Sequence, residues 1–258
     1  MPAHDLPLLI DAARMAGRVA TSFTGPTAQR WDKADDAGPV TEADLAVNAQ
    51  LLSTLRLARP DYGWLSEETE DNADRLSQDR VFIVDPIDGT RSFVEGSNTW
   101  AHSIAVAEHG VITAAVVYLP LRNKLYAAAK GGGATCNGVP IVASEKAQLE
   151  TSSVLVAKPA MQGDHWKTNI CPGFKRSFRP SLAYRLALVG EGRFEAMLTL
   201  RKSWEWDIAA GALIVAEAGG IALDRTGASL RFNNPDPRLN GVVAGGTPAC
   251  AALIDALA

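Results

Sequence analysis

Apolar side chains recur at Leu9, Ile10, Ala13, Ala16, Gly17 and Ala20, a spacing that gathers one face of a helix. Residues 6–23 are therefore expected to form an opening amphipathic helix. From 24 to 39, polar residues, glycine and proline break the period, and the stretch reads as a mobile loop. The helical period returns over 41–58. Thr41 can cap this second helix, Asp44 stands three residues on in the capping-box position, and Arg59-Pro60 ends it.

The pattern then changes. Residues 81–84 are wholly apolar and stop at Asp85-Pro86, as in a buried strand whose end delivers side chains to a site. Residues 104–107, 111–119 and 124–129 continue as strands, with turn signals at Asn123-Lys124, Gly131 to Gly133 and Asn137-Gly138. The pattern loosens after Ser144, and the segment from 158 to 180 is rich in proline and aromatic residues. This places a boundary near 145–150, between an N-terminal α+β subdomain (1–146) and a C-terminal α/β subdomain (147–258) that together make one catalytic unit. In the second part, 182–189 reads as a helix, 195–200 as a strand, and 208–218 as a strongly apolar helix ended by Gly219-Gly220.

Composition narrows the function. With 258 residues, 47% of them hydrophobic, the chain can bury a large core without staples. A net charge of -4 argues against a basic face for polymeric nucleic acid. Cys136, Cys171 and Cys250 are scattered, with no paired motif for zinc, and suit reduced thiols. The N-terminus lacks the basic region of a signal peptide, and the longest apolar runs are too short to span a membrane. A cytoplasmic protein with no membrane partner is expected.

The informative segment is Asp85-Pro86-Ile87-Asp88-Gly89-Thr90. Two carboxylates at the end of a buried strand are costly unless a cation neutralises them, and hard oxygen donors suit magnesium or manganese. Gly89 and Thr90 add a turn whose N–H groups can meet a phosphate. Taken singly, each element has a plainer reading. The segment reads alone as a solvated turn, Glu67-Glu68 as a solvated face, Asp207 as the cap of the apolar helix that follows, and Asp44 as the capping partner of Thr41.

Their order along the chain changes the balance. Pro39-Val40-Thr41-Glu42-Ala43-Asp44, Ser66-Glu67-Glu68, Asp85 to Phe93, and Trp206-Asp207-Ile208-Ala209-Ala210-Gly211 running on to Glu217-Ala218-Gly219-Gly220 together resemble the motifs of the inositol monophosphatase superfamily. The resemblance implies a layered α-β-α-β-α fold. It also implies two or three magnesium ions per site: Glu67, Asp85 and the Ile87 carbonyl holding one, and Asp85, Asp88 and Asp207 a second. Thr90 and Asp44 fall on the pair that orients the attacking water, Glu67 on a further assisting position, and the Gly89 and Thr90 amides on the phosphate. No covalent intermediate is required. A homodimer inhibited by lithium is implied as well.

The substrate is then a small phosphorylated metabolite. Relatives that hydrolyse inositol phosphates place an acidic residue before the Trp-Asp motif where this chain has Thr199. Ser181-Leu182-Ala183-Tyr184-Arg185 instead resembles the segment of bacterial 3'(2'),5'-bisphosphate nucleotidases that carries a basic residue. A guanidinium suits a second phosphate, although a helix arginine is more often simply exposed. The expected activity is therefore release of phosphate from adenosine 3',5'-bisphosphate, with an inositol-1-monophosphatase or related sugar phosphatase as the alternative and a non-catalytic interaction protein as a third reading. An aspartyl-nucleophile phosphatase is disfavoured, because Asp85 and Asp88 are three apart with Pro86 between them. His102 and His109 are read as structural.

Overall fold

The computed structural model describes residues 5–32 and 38–258. Helix α1 (Asp5–Ser22) and helix α2 (Glu42–Ala58) form as their periodicity requires, and the capping box of α2 is present. Asp44 Oδ2 accepts the Thr41 N–H at 2.8 Å, while the Thr41 hydroxyl faces the Asp44 N–H. The expectation of a loop over 24–39 needs correcting. Arg30–Asp32 pairs antiparallel with Pro39–Thr41, after a short 3-10 turn at Gly25–Thr27. Residues 33–37 of that stretch lie outside the described residues.

A seven-stranded sheet follows, in the order Gly63–Ser66, Arg80–Asp88, Ala101–Glu108, Val111–Leu119, Lys124–Ala129, Ala134–Cys136 and Val139–Pro140. Only its first pair is parallel. Side chains alternate across a strand, so a continuous apolar run must be covered on both faces. Phe82 and Val84 pack with Leu9, Val47 and Leu51 from α1 and α2. Ile83, between them, points the other way, into a core with Leu186 and Ile214.

That second core belongs to α4 (Leu182–Gly190) and α5 (Glu205–Glu217), which fill the space between the first sheet and a five-stranded one. The strand order of the second sheet is Lys175–Ser177, Ser153–Val156, Ala196–Thr199, Val242–Gly245, Ile221–Leu223. Because α5 has sheets on two sides it is apolar nearly all round, as a buried helix must be. Gly211 lets α4 and α5 approach closely, since a Cβ there would lie 2.4 Å from that of Leu186. Helix α6 (Thr247–Ala256) covers the outer face, where Leu253 meets Val154, Leu198 and Val243. The layers run α-β-α-β-α, the expected fold. The short helix α3 (Thr90–Val94) stands outside them, at the end of the Arg80–Asp88 strand.

Candidate active site

The strand was expected to stop at Asp85-Pro86; it runs on to Asp88, over an irregularity. Asp85 stands opposite Ser103 and Asp88 opposite Ala101, so the strand bulges between them. His102 faces the bulge from the neighbouring strand, with Nδ1 2.5 Å from the Pro86 carbonyl oxygen. A carbonyl only accepts, so Nδ1 carries the proton. Burial pushes this imidazole down to about 4, which keeps it neutral and structural. His109 lies at an exposed turn, far less constrained.

Asp207 reaches the same place from α5. The helix begins at Glu205 rather than at 208, so Asp207 occupies its first turn and is not its cap. Ser103, the partner of Asp85 in the ladder, donates its hydroxyl to the Trp206 carbonyl at 2.7 Å and so fixes that turn against the sheet. Asp85, Asp88 and Asp207 each present a carboxylate oxygen within 4.8 Å of the others. Burial, followed by Glu67, Asp88 and Asp207, raises Asp85 well above the usual carboxylate range. Asp207 is raised likewise, by burial and by Asp88 and Glu67. Asp88 is lifted to about 6 by burial, against hydrogen bonds from Ser181 and the first amides of α4. The Ser181 hydroxyl and the Ala183 N–H both donate to its Oδ2, at 2.7 and 2.6 Å.

Glu67 follows the edge strand Gly63–Ser66, close enough to hydrogen-bond Asp85. Asn48 of α2 grips its neighbours: the Asn48 amide donates to the Thr69 hydroxyl at 3.0 Å and the Ser66 hydroxyl donates to the Asn48 oxygen at 2.8 Å. On the other side Arg75, buried, pairs with Asp71 and reaches Asn233 and the Asn234 carbonyl at 2.7 and 2.9 Å. The backbone N–H groups of Asn233 and Asn234 are held in turn by Glu205 of α5. The segment carrying Glu67 is thereby tied to the turn carrying Asp207. Asn48, Arg75 and Glu205 escaped the sequence reading, and Ser181 was named only within a motif and not as a partner of Asp88, although a serine before an apolar run is a favoured cap.

At the start of α3 the Thr90 hydroxyl lies 3.2 Å from Asp44 Oδ1 and equally far from the Ile87 carbonyl. Asp44 is therefore both the capping partner of Thr41 and the neighbour of Thr90. Burial lifts it to about 6, with the Thr41 hydrogen bonds opposing. Gly89 takes the left-handed conformation, φ 98°, that the turn into α3 requires.

Arg185 is not an exposed helix arginine. It is 7% accessible, and its guanidinium donates to the Arg179 and Pro180 carbonyls at 2.5 and 3.3 Å and lies 4.4 Å from the centre of the Phe178 ring. Burial lowers it to about 10; Asp88 and Asp207 pull it up, and Arg201 and Arg176 push it down. Thr199 is buried at the end of its strand.

The donor set fits magnesium. All donors are oxygen, three carboxylates converge, and Asp85 Oδ1 is buried with no hydrogen-bond partner among the described residues.

Comparison with known proteins adds the lineage. The inositol monophosphatase family matches residues 4–257. The Nus factor SuhB of Salmonella typhimurium is 34% identical over 232 residues, 86% of this chain and 85% of that protein. Inositol-1-monophosphatase of Mesorhizobium japonicum is 32% identical over 267 residues, 98% and 95% of the two chains. The structure of a Thermotoga maritima IMPase superposes with a TM-score of 0.82 at 28% identity, covering 99% of this chain and 96% of that one. These names are not those of bisphosphate nucleotidases, so the narrower likeness read from residues 181–185 is corrected to the family level.

Proposed function

The chain belongs to the inositol monophosphatase family, and on that premise we propose that Asp85, Asp88 and Asp207 form the centre of a phosphatase for inositol 1-phosphate or a related sugar monophosphate. Members of this family are phosphatases, and the chain is a phosphoric monoester hydrolase. The observation that carries the reading is the convergence of three carboxylates, one of which, Asp85, keeps a buried oxygen with no hydrogen-bond partner among the described residues. Glu67, Asp85, the Ile87 carbonyl, Asp88 and Asp207 would hold two or three magnesium ions, with manganese as a substitute. Magnesium, when bound, lowers the pKa of water and offsets charge on the phosphoryl oxygens.

The chain's own groups do the rest. Thr90 donates its proton to Asp44 and leaves its oxygen lone pairs to orient a water. Asp44, whose carboxylate accepts from the Thr90 hydroxyl, is placed to receive the proton passed through Thr90. Gly89 and Thr90 turn their amides toward the phosphate, with Asp88 and Asp207 flanking it. His102, neutral and engaged with Pro86, supplies no proton.

A second reading is favoured by one observation. Arg185 is buried within electrostatic reach of Asp88 and Asp207 and of the exposed Arg201 and Arg176, in a chain that has Thr199 where inositol phosphatases carry an acid. Such a cluster suits a substrate with a second phosphate, adenosine 3',5'-bisphosphate. Phosphate release from that compound and from inositol 1-phosphate, measured side by side with magnesium, decides between the two. Release from neither, with or without manganese, would return the chain to the third reading, an interaction protein, which the name of the Salmonella relative keeps in view. We also propose a cytoplasmic homodimer inhibited by lithium, to be tested by light scattering and by lithium titration. Among the described residues no helix is long and apolar enough to cross a membrane.

A further inference from the structure

In an unbroken strand, residues two apart share a face and residues three apart do not. Val81 and Ile83 belong to the core shared with α4 and α5, and Asp85 continues that face. Asp88 would then turn the other way, toward α1 and α2. It does not, because the three steps from Asp85 to Asp88 are set against only two, from Ser103 to Ala101. The extra residue restores the face. Asp85 and Asp88 thus stand opposite residues that are themselves two apart, while Ile87 joins Val84 in the core beneath α1 and α2. The convergence of these two carboxylates depends on the bulge at Pro86 and Ile87, and a regular strand would separate them.

A bulge leaves backbone groups without ladder partners, and a buried carbonyl with no donor is costly. Pro86 has no N–H to place, but its carbonyl needs a partner. His102 supplies one, with Nδ1 2.5 Å from the Pro86 oxygen. The imidazole lies on the α1 and α2 face of the neighbouring strand, in line with Ile104 and Val106, and is flanked by the rings of Trp100 and Tyr118 at 5.4 and 6.2 Å between centres. It is fully buried, and its Nε2 has no hydrogen-bond partner among the described residues. An apolar side chain of similar size would avoid that orphaned lone pair. What the imidazole has and phenylalanine lacks is the donor at Nδ1. The next carbonyl, of Ile87, is met by the Thr90 hydroxyl at 3.2 Å, so consecutive carbonyls of the bulge are held from two different elements.

We propose that His102 is a positioning residue for the metal centre: its bond to Pro86 keeps the bulge, and the bulge keeps Asp85 and Asp88 on one face. The proposal rests on the reading of the carboxylate cluster as a magnesium site. His102 acts through the backbone alone, from the opposite face of the sheet, and is not a catalytic residue.

The test is calorimetric titration of the metal-free protein with manganese, and thermal unfolding of the same samples, for wild type, His102→Phe and His102→Asn. Phenylalanine fills the space of the ring without a donor. Asparagine leaves part of that space empty but carries an amide nitrogen as many bonds from the backbone as Nδ1. His102→Phe is expected to weaken manganese binding about ten- to a hundredfold. His102→Asn should lower Tm through the cavity it leaves, yet bind manganese within about threefold of wild type. Affinity would then follow the donor and not the stability, a pattern that a merely structural histidine does not produce. Should His102→Phe fail to fold, His102→Gln takes its place, since its amide nitrogen lies one bond further out and misses Pro86, and the same weakening is expected. Wild-type affinity in a folded His102→Phe or His102→Gln, or a loss in His102→Asn as large as theirs, would overturn the proposal. A wild-type protein that binds no manganese would remove the metal reading itself, and the role of His102 with it.

Discussion

Asp85, Asp88 and Asp207 converge from the second strand of the seven-stranded sheet and the first turn of α5, whereas Arg176 comes from the edge strand of the five-stranded sheet and Arg185 from α4. Asp85 and Asp88 on one side and Arg185 on the other are buried charges with like charges in reach, yet they are finished differently. Arg185 has two carbonyl acceptors and a phenyl ring, so its charge is accommodated by the chain itself. Asp85 Oδ1 has no such partner, and its neighbours are more carboxylates. Burial of charge is tolerable when it is paired or hydrogen-bonded. The acidic side is therefore incomplete without a cation, while Arg185 is already satisfied by the chain. On the proposed readings, chemistry would belong to the first and discrimination to the second.

The largest effect should come from the acidic side. Asp85→Asn keeps the shape and removes one charge from the middle of the cluster. Turnover should fall about a thousandfold or more, while the metal-free protein melts no lower than its parent because like-charge repulsion has been relieved. Activity within a few-fold of wild type, with the same magnesium requirement, would take Asp85 out of the site. Next comes the Thr90 and Asp44 pair. Thr90→Ala and Asp44→Asn should each reduce kcat by about a hundredfold, and the double variant should be little worse than either single one, as for residues that act as a unit. Multiplying losses would show two independent contributions. If Asp44 serves only the cap of α2, its substitution should cost about 1 kcal/mol of stability and leave kcat nearly intact.

The basic side should respond more gently and more selectively. Arg185→Ala is expected to lower kcat/KM about ten- to a hundredfold on adenosine 3',5'-bisphosphate and only a few-fold on inositol 1-phosphate, the size of one charge-assisted contact. Arg185→Lys should recover part of the loss, because an ammonium keeps the charge but not the fork. Equal losses on both substrates would make Arg185 a strut for the Phe178 to Pro180 segment, and the contrast between the two sides would narrow to structure alone.

How much of this could be read in advance follows the distance between partners. The capping box of Thr41 and Asp44 is written within four residues, and the two-faced burial of Phe82, Ile83 and Val84 follows from an apolar run bounded by turns. The acidic residues were legible because each motif is local and their order is distinctive. The bulge at Pro86 was not, since it depends on His102 from another strand. Nor was the clasp from Asp71 through Arg75 and Asn233 to Glu205, whose members are ordinary surface residue types until the fold buries them. Arg185 was singled out for a second phosphate, but its burial was not legible, because its partners, the carbonyls of Arg179 and Pro180, leave no mark in residue identity.

The smallest expected effect sharpens the comparison without touching activity. In the metal-free protein Asp88 and Asp44 are lifted to about 6, and Asp85 and Asp207 are raised by burial and by one another. A carboxylate whose folded pKa lies above its unfolded value favours folding in its protonated form. Its contribution is fully present below about pH 4 and is lost as pH climbs through the folded value, at about 6 for Asp88 and higher for the more strongly raised pair. Magnesium binds the ionised cluster of the folded chain only, so its stabilisation should grow over the same interval. At a hundred times its dissociation constant it adds about 2.7 kcal/mol, which for a chain of this size raises Tm by roughly 5–10 °C. The gain in Tm on adding magnesium should thus be near zero at pH 5 and several degrees at pH 7.5. His102 works in the opposite direction, since an imidazole lowered to about 4 favours the folded state at higher pH and loses that contribution as pH falls. It is present with and without the ion, however, and largely cancels in the difference. Asp85→Asn should flatten the dependence, whereas Arg185→Ala should leave it in place because the basic side holds no cation. A gain that is constant from pH 5 to 7.5, or that disappears in Arg185→Ala as fully as in Asp85→Asn, would break the division between the two sides.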